Sequence, residues 1–305
     1  MPLILNDLPL VVCIAGPTAS GKTGLAIRAA EMLGGEIVSA DSMQVYKYMD
    51  IGTAKPTAEE RAKAVHHLID FVDPRDEYSV VQYVEDARRV ISDIHSRGRV
   101  PILAGGTGQY ISALVENISY DETESDPALH AELEMIAASK GPAALHDILK
   151  EIDPEAAGQI HENNLKRVLR AVEMRKLTGL SLSERNAKSR LRPVFARYRA
   201  FGIDIDRKEL YDRIDRRVNA MIDSGLIEEA RRVLGMDPGR TASQAIGYKE
   251  FIPYFEGSCD LETAVALIKK NSRNYAKRQL TWFRRPQWIE WMSAGDILKE
   301  IGKLS

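Results

Sequence analysis

"AGPTASGKT", residues 15–23, decides how the rest of the chain is read. Gly16, Gly21, Lys22 and Thr23 meet the pattern G-x-x-x-x-G-K-[ST] without a gap. The apolar run "LPLVVCIA" (8–15) before it predicts a buried strand, and "GLAIRAAEML" (24–33) after it is apolar at helical spacing. A glycine-rich turn between strand and helix is built to bind phosphate. Its backbone N–H groups can approach an anion, the helix N-terminus adds partial positive charge, and Lys22 adds a full one. The segment Gly16, Pro17, Thr18, Ala19, Ser20, Gly21, Lys22 and Thr23 is therefore the expected phosphate cradle, with the Thr23 hydroxyl available to a magnesium ion. A nucleoside triphosphate is the commonest occupant of such a loop, though not a necessary one.

The chain of 305 residues has room for a full core and a second unit, and 44% hydrophobic with 28% charged residues describes an ordinary soluble protein. No apolar run reaches the roughly 18 residues of a membrane span. The start "MPLILNDLPL" has no basic head, so a cytoplasmic protein is expected. Two cysteines, Cys13 and Cys259, exclude both a disulfide framework and a four-cysteine zinc site. The net charge of −2 hides a segregation. Eleven acids face two bases between Asp121 and Glu162. From Lys166 to Arg199 the balance inverts, with Lys166, Arg167, Arg170, Arg175, Lys176, Arg185, Lys188, Arg190, Arg192, Arg197 and Arg199 against only Glu173 and Glu184. A second cluster, Lys269, Lys270, Arg273, Lys277, Arg278, Arg284 and Arg285, contains no acid. Such segregation makes local positive surface on a near-neutral protein, although charge alone also fits solvated helix faces.

Strands and helices alternate from residue 9 to 117. "GEIVSAD" (35–41), "HHLIDFV" (66–72) and "RVPILAGG" (99–106) predict further strands, and "VVQYVEDARRVISDIHSRG" (80–98) a long amphipathic helix closed by Gly98. This alternation implies a parallel sheet flanked by helices, with ligands at the carboxyl ends of the strands. The loop at 16–23, Asp41 and "GGTG" (105–108) then share one rim. After Ile118 the pattern is helical only, until a strand returns in "YRAFGIDI" (198–205) and a last one in "QWIEW" (287–291). The fold class is α/β: a P-loop, nucleotide-kinase-like core formed by 1–117 and 198–305, plus an all-helical insertion at 118–197.

An acid closing a strand beside a phosphate loop can take a proton from an acceptor aimed at the phosphorylated substrate. Asp41 has that position, yet Asp-Ser is also a common turn or helix-capping pair. The surrounding Ser42, Gln44, Tyr46, Gly52, Thr53 and Lys55 supply hydrogen-bonding groups and little core. The neighbouring His66 and His67 would point oppositely on a strand and have no accompanying ligand cluster.

Seven blocks in order, "GPTASGKT", "DSMQVYKYMDIGTAKP", "HHLID", "GGTGQY", "IDPEAAGQIHENNLKRVLRAVEM", "QAIGYKE" and "RQLTWFRR", span residues 16–285. Together they resemble the tRNA dimethylallyltransferase family in its bacterial form, the isopentenyltransferases that modify adenosine 37 beside the anticodon. Gln109 stands where that family more often has Leu, and His130 lies near an expected Arg. The resemblance implies that the gripped phosphate is the diphosphate of dimethylallyl diphosphate, a leaving group attacked by adenine N6, with Mg2+ assisted by Thr23. No DDxxD motif occurs, so Lys22, Thr23 and the glycine cradle would replace the acid-held magnesium of other prenyl-transferring enzymes. It further implies Asp41 as the acceptor of the N6 proton, Thr107 near the diphosphate and the acceptor base, and Arg217 on the diphosphate. Thr107 could equally cap the following helix, and Arg213, four residues before Arg217, is the other candidate for the diphosphate. Asp41, Ser42, Met43 and Gln44, then Lys166, Arg167, Val168, Leu169 and Arg170, and finally Gln244, Gly247 and Lys249 match segments that contact tRNA. The implied partners are the tRNA anticodon stem-loop and dimethylallyl diphosphate, with no membrane, and a monomeric enzyme is expected.

Three rivals remain open on sequence. A P-loop small-molecule kinase would use ATP in the loop and Asp41 on an acceptor hydroxyl, but strand four ends in "AGG", without a magnesium-binding Asp. An adenine-nucleotide isopentenyltransferase would not need the basic insertion. A non-catalytic RNA-binding protein would not need Lys22, Thr23 and Asp41 intact.

Overall fold

The computed structural model describes residues 8–118, 126–189 and 193–304. The chain start, the acids at 121–124 and the cations Arg190 and Arg192 of the sequence reading lie outside the described residues. The chain divides into two compact units, Met1–Val115 with Val194–Ser305, and Glu116–Pro193. The breaks fall slightly before the expected 118 and 197, because helix α4 (Gly108–Val115) ends the first stretch and the chain rejoins the first unit ahead of strand β5 (Arg197–Ile203).

The first unit is built on a six-stranded sheet of order β3-β2-β4-β1-β5-β6. Its strands are β1 (Leu10–Ala15), β2 (Glu36–Ser39), β3 (His66–His67), β4 (Pro101–Gly105), β5 and β6 (Ile289–Met292), and every pairing is parallel. β1 is buried from Val11 to Ala15 and β2 throughout, as strands covered on both faces should be. Helix α1 (Lys22–Leu33) and the last helix, α15 (Ala294–Gly302), contribute Leu25, Ala29, Ile297 and Ile301 to the core cluster of Val12, Ile14, Ile102 and Phe201. α2 (Ala58–Lys63) and α3 (Val80–Ser96) both begin with a full capping box, from Thr57 and Ser79 respectively. α3 ends at Ser96, with Gly98 following in the left-handed region at φ 69°.

The expected strand at 66–72 stops after two residues. Leu68 and Asp70 hold φ values of 59° and 64°, which a strand cannot contain, and pairing resumes only as a single bridge between Tyr46 and Val72. A second core lies among Tyr46, Met49, Val218, Tyr248, Phe251 and Ile268. It draws on α10 (Arg207–Asp223), α11 (Leu226–Leu234), α12 (Arg240–Ser243), α13 (Ile252–Phe255) and the 23-residue α14 (Leu261–Phe283).

The second unit holds α5 (Pro127–Lys140), α6 (Pro142–Ile152), α7 (Pro154–Gln159), α8 (Leu165–Thr178) and α9 (Leu182–Ser189). Three of these begin with Pro in the first turn, where its missing N–H costs nothing. Leu133, Leu145, Leu149, Val168 and Val172 meet in their own core. Among the described residues no helix is long and apolar enough to cross a membrane.

Candidate active site

Strand register brings the expected residues together. Ala15 pairs with Gly105 and Ser39 with Ala104, so the segments following β1, β2 and β4 leave the sheet side by side. The Ala40 N–H donates to the Ala104 carbonyl at 2.8 Å, and the Thr107 N–H donates to the Ala40 carbonyl at 3.0 Å. A side chain at Gly105 would put its Cβ 2.1 Å from the Ala40 oxygen, so this approach requires glycine. The segments after β1 and β2 and the end of β4, at Ala104 and Gly105, border one cavity of about 310 Å³, wholly within the first unit.

Gly21 caps α1 at φ 90°, a conformation that strains an L side chain, and Ala19 in the same loop holds φ 62°. Lys22 Nζ donates to the Pro17 carbonyl at 2.7 Å. Burial lowers the Lys22 ammonium to about 8, with Asp41 opposing the shift and Arg217 adding to it. Arg217 Nη1 donates to Thr18 Oγ1 at 3.1 Å. Burial also lowers the Arg217 guanidinium, again opposed by Asp41. Arg213 instead pairs with Glu209 on its own helix at 2.6 Å, and of the two arginines Arg217 is the one that borders the cavity. Two cations, one hydroxyl partner and a helix N-terminus thus surround one loop, an arrangement that attracts a polyanion.

Asp41 both holds a turn and borders the cavity. Its Oδ1 accepts the N–H groups of Met43 at 2.9 Å and Gln44 at 3.3 Å, which is the turn role. Its Oδ2 has no hydrogen-bond partner among the described residues, and the residue borders the cavity. Thr107 precedes α4, but its hydroxyl does not cap that helix. Thr107 Oγ1 accepts the Ser42 N–H at 2.9 Å and donates to Ser42 Oγ at 3.2 Å. Gln44 Nε2 reaches the carbonyls of Thr53 and Ala54 at 3.2 and 3.0 Å, which fastens the following loop along the same wall. Ser42, Met43, Gln44, Gln244, Gly247 and Lys249 all border the cavity.

Structural anchors hold this wall, of which the sequence singles out only Lys55. Glu229 is 3% exposed and accepts the N–H groups of Asp50, Ile51 and Gly52 at 3.0, 2.9 and 2.9 Å, plus the Tyr248 hydroxyl at 2.7 Å. Glu250 accepts the Gly247 N–H at 2.8 Å and Asn271 Nδ2 at 2.8 Å. Lys55 Nζ lies 2.7 Å from both Asp50 Oδ1 and Asp70 Oδ1. α14 adds Ile268, Ser272, Tyr275, Arg278 and Gln279 to the lining. Their 3–4 spacing and the block "RQLTWFRR" were the available signals for this face. Burial pushes the Tyr275 phenol up, and the Asp41 carboxylate pushes the same way.

The histidine pair is divided in its contacts. His66 borders the cavity, with Nδ1 2.8 Å from the Ala64 carbonyl, and burial lowers its pKa. His67 Nε2 meets Glu36 Oε2 at 2.7 Å. Among the described residues no group of three or more His, Cys, Asp or Glu could hold a metal on its own. The Thr23 hydroxyl on the cavity wall is a donor compatible with Mg2+ arriving with a phosphorylated substrate, since that ion keeps waters and substrate oxygens among its ligands.

In the second unit, Lys166, Arg167 and Arg170 of α8 are exposed, whereas Val168 and Leu169 are 0% and 6% exposed inside the unit's core. The expectation that Val168 and Leu169 touch RNA is therefore corrected. They pack the helix that presents the three cations. Arg170 Nη1 lies 3.4 Å from Glu173 Oε2, while Lys166 and Arg167 have no ion-pair partner among the described residues. His130 faces Glu173 and Glu134 at 2.5 and 3.2 Å, and its hydrogen bond to Glu173 raises its pKa.

Comparison with known proteins places these features in context. The IPP transferase family profile matches residues 44–286. A tRNA dimethylallyltransferase of Lachnoclostridium phytofermentans is 47% identical over 97% of this chain and 97% of its own length. One from Geobacter sulfurreducens is 48% identical over 95% of each. Among solved structures, the full-length tRNA isopentenylpyrophosphate transferase of Bacillus halodurans aligns with TM-score 0.70 and 43% identity, over 96% of this chain and 94% of that one. A eukaryotic dimethylallyltransferase acting on tRNA aligns with TM-score 0.79 and 29% identity, over 94% of this chain and 74% of its own.

Proposed function

The chain belongs to the IPP transferase family, and from that membership and the cavity we propose the following reaction. It transfers the dimethylallyl group of dimethylallyl diphosphate to N6 of adenosine 37 beside the tRNA anticodon and releases diphosphate. The observation that carries this reading is the convergence of Asp41, Arg217 and the phosphate-loop residues Thr18, Lys22 and Thr23 on one cavity, with Thr107 bonded behind it to Ser42. N6 attacks the allylic carbon, the carbon–oxygen bond to diphosphate breaks, and Asp41 accepts the N6 proton through Oδ2. Removing that proton as the new bond forms helps a poor amine nucleophile. Lys22, Arg217 and the amides of the loop stabilise the charge that grows on the departing diphosphate. Mg2+ carried on the diphosphate would supply further charge neutralisation, with Thr23 offering the protein oxygen.

The anticodon stem-loop engages Lys166, Arg167 and Arg170 through its phosphates, and the cavity-side segments Asp41–Gln44 and Gln244–Lys249 through the loop. An unpaired loop adenine is a cheaper target than a stacked duplex base, because it reaches Asp41 without breaking pairs. The enzyme works where mature tRNA is found, in the cytoplasm. Against the kinase stands Gly105 at the end of β4, where the close approach of Ala40 leaves no room for the side chain of a magnesium-binding acid. The test is mass spectrometry of nucleosides from unmodified tRNA incubated with the protein and dimethylallyl diphosphate, without ATP. N6-dimethylallyl adenosine is the expected product. Its absence, with ATP turnover on a small acceptor, would overturn the reading in favour of a kinase. Equal use of free adenosine monophosphate would favour the nucleotide-prenylating relative.

A further inference from the structure

α14 brings into the cavity wall a buried amide for which the reaction above has no role. Gln279 is 5% exposed. Its Oε1 accepts the Thr18 N–H at 2.8 Å, and its Nε2 donates to the Gly106 carbonyl at 2.9 Å. These partners are 261 and 173 positions away in sequence. The first lies in the phosphate loop, in the residue whose hydroxyl receives Arg217. The second immediately precedes Thr107. A Cβ at Gly106 would sit 2.3 Å from Gln279 Nε2, so the amide is seated directly against the backbone. An amide tip presents a donor and an acceptor side by side without charge at any pH near neutral, and Asn is one methylene shorter.

We propose that Gln279 is a positioning residue that sets the spacing between the phosphate loop and the Thr107 loop, aligning the allylic carbon with the acceptor amine and Asp41. This rests on the diphosphate reading of the loop. The two loops come from different strands, and among the described residues, apart from the sheet itself, Gln279 is the side chain that bonds to both. A misplacement of about 1 Å between reacting groups can cost about 10²-fold in rate, so a spacer of this kind acts on turnover more than on affinity.

The experiment compares Gln279→Met, Gln279→Glu, Gln279→Ala, Gly106→Ala and the double variant Gly106→Ala/Gln279→Ala with wild type. It follows steady-state prenylation of tRNA, and the stoichiometry of inorganic diphosphate binding reports the folded fraction. Gln279→Met should bind diphosphate at unchanged stoichiometry and lose about 10²-fold in kcat, with KM for both substrates within a few-fold. Gln279→Glu keeps the acceptor for Thr18 but directs a carboxylate at the Gly106 carbonyl. Protonation restores the donor, so its rate relative to wild type should rise as pH falls from about 8 to about 6, because burial raises a carboxyl pKa. Gly106→Ala collides with the amide, and the double variant should be no worse than Gln279→Ala alone. Wild-type kcat in Gln279→Met, or a flat pH ratio with additive losses in the double variant, overturns the inference. If Lys22→Ala binds diphosphate as tightly as wild type, the loop reading fails and this inference fails with it. If Lys22→Ala loses binding while the Gln279 series stays flat, the inference alone is lost.

Discussion

The Ser42 N–H donates to Thr107 Oγ1 at 2.9 Å, so the loop that carries Asp41 hangs on a side chain supplied by β4's loop, 65 residues away. Thr107→Val preserves shape and removes the acceptor. The Ser42 amide is then left unpaired, and a partly buried amide in that state costs on the order of 1–3 kcal/mol. Thr107→Ser keeps the hydroxyl. Prenylation should fall sharply in the valine variant and largely persist in the serine variant. Equal rates for the two, at matched thermal stability, would remove the hydroxyl from the site.

Asp41→Asn separates the turn from the base. The amide oxygen can still accept from Met43 and Gln44, so the loop should hold its course. The N6 proton loses its acceptor, for an expected loss of about 10²-fold or more in turnover. Affinities for tRNA and dimethylallyl diphosphate should change little. Single-turnover kinetics with separately measured binding constants checks both halves.

Lys22 predicts a pH dependence of known sign. Its ammonium is lowered to about 8, so the free enzyme discharges it as pH rises through that value. A bound diphosphate favours the charged form and raises that value again. Binding should therefore take up protons near pH 8, and affinity should decline above it. Calorimetry of inorganic diphosphate in buffers of different ionisation enthalpy reads the proton uptake directly. Lys22→Arg should flatten the profile, since a guanidinium stays charged across this range.

The phosphate loop, Asp41 and Thr107 were legible because each follows a strand whose alternation with helices is written in local sequence. Their meeting point is a matter of register, Ala15 against Gly105 and Ser39 against Ala104, which no local pattern specifies. The short β3 was misread because Leu68 and Asp70 take left-handed backbone angles that their residue types do not advertise. Val168 and Leu169 matched a functional segment by position, while helical periodicity alone would have placed them on the buried face of α8. Glu229, and the contacts that Gln279 makes, were hidden for a third reason. Each residue is polar and buried, and its value lies in backbone groups more than a hundred residues away.

Glu229 gives a stability prediction. Its carboxylate takes three consecutive backbone N–H groups and a tyrosine hydroxyl in a buried setting. Glu229→Ala leaves all four donors without their acceptor, and the expected destabilisation is about 3 kcal/mol or more. The loop it holds borders the cavity through Gly52, Thr53 and Ala54, so the surviving folded fraction should also bind tRNA less well. Denaturant unfolding checks the first effect, and a loss below about 1 kcal/mol would reduce the nest to a surface detail.

The last prediction concerns α8, whose exposed face carries Lys166, Arg167 and Arg170. Each phosphate neutralised by such a cation releases counterions, so binding weakens with salt at a log–log slope of roughly −0.7 to −0.9 per contact. Lys166 and Arg167 have no acid partner among the described residues and meet phosphate at no local cost. Arg170 must give up Glu173, 3.4 Å away, before it does the same. Lys166→Ala and Arg167→Ala should each flatten the slope by about 0.7–0.9, and Arg170→Ala by less. Glu173→Gln should tighten tRNA by releasing Arg170, provided that the buried carboxylate is replaced without unfolding α8. Diphosphate binding should be unchanged throughout, because the phosphate loop belongs to the first unit and α8 to the second. The measurement is tRNA affinity at several salt concentrations for each variant. Identical slopes for wild type and the triple neutral variant would make this face merely solvated. A loss of diphosphate binding alongside tRNA would show that the two sites are not separable in the way the units suggest.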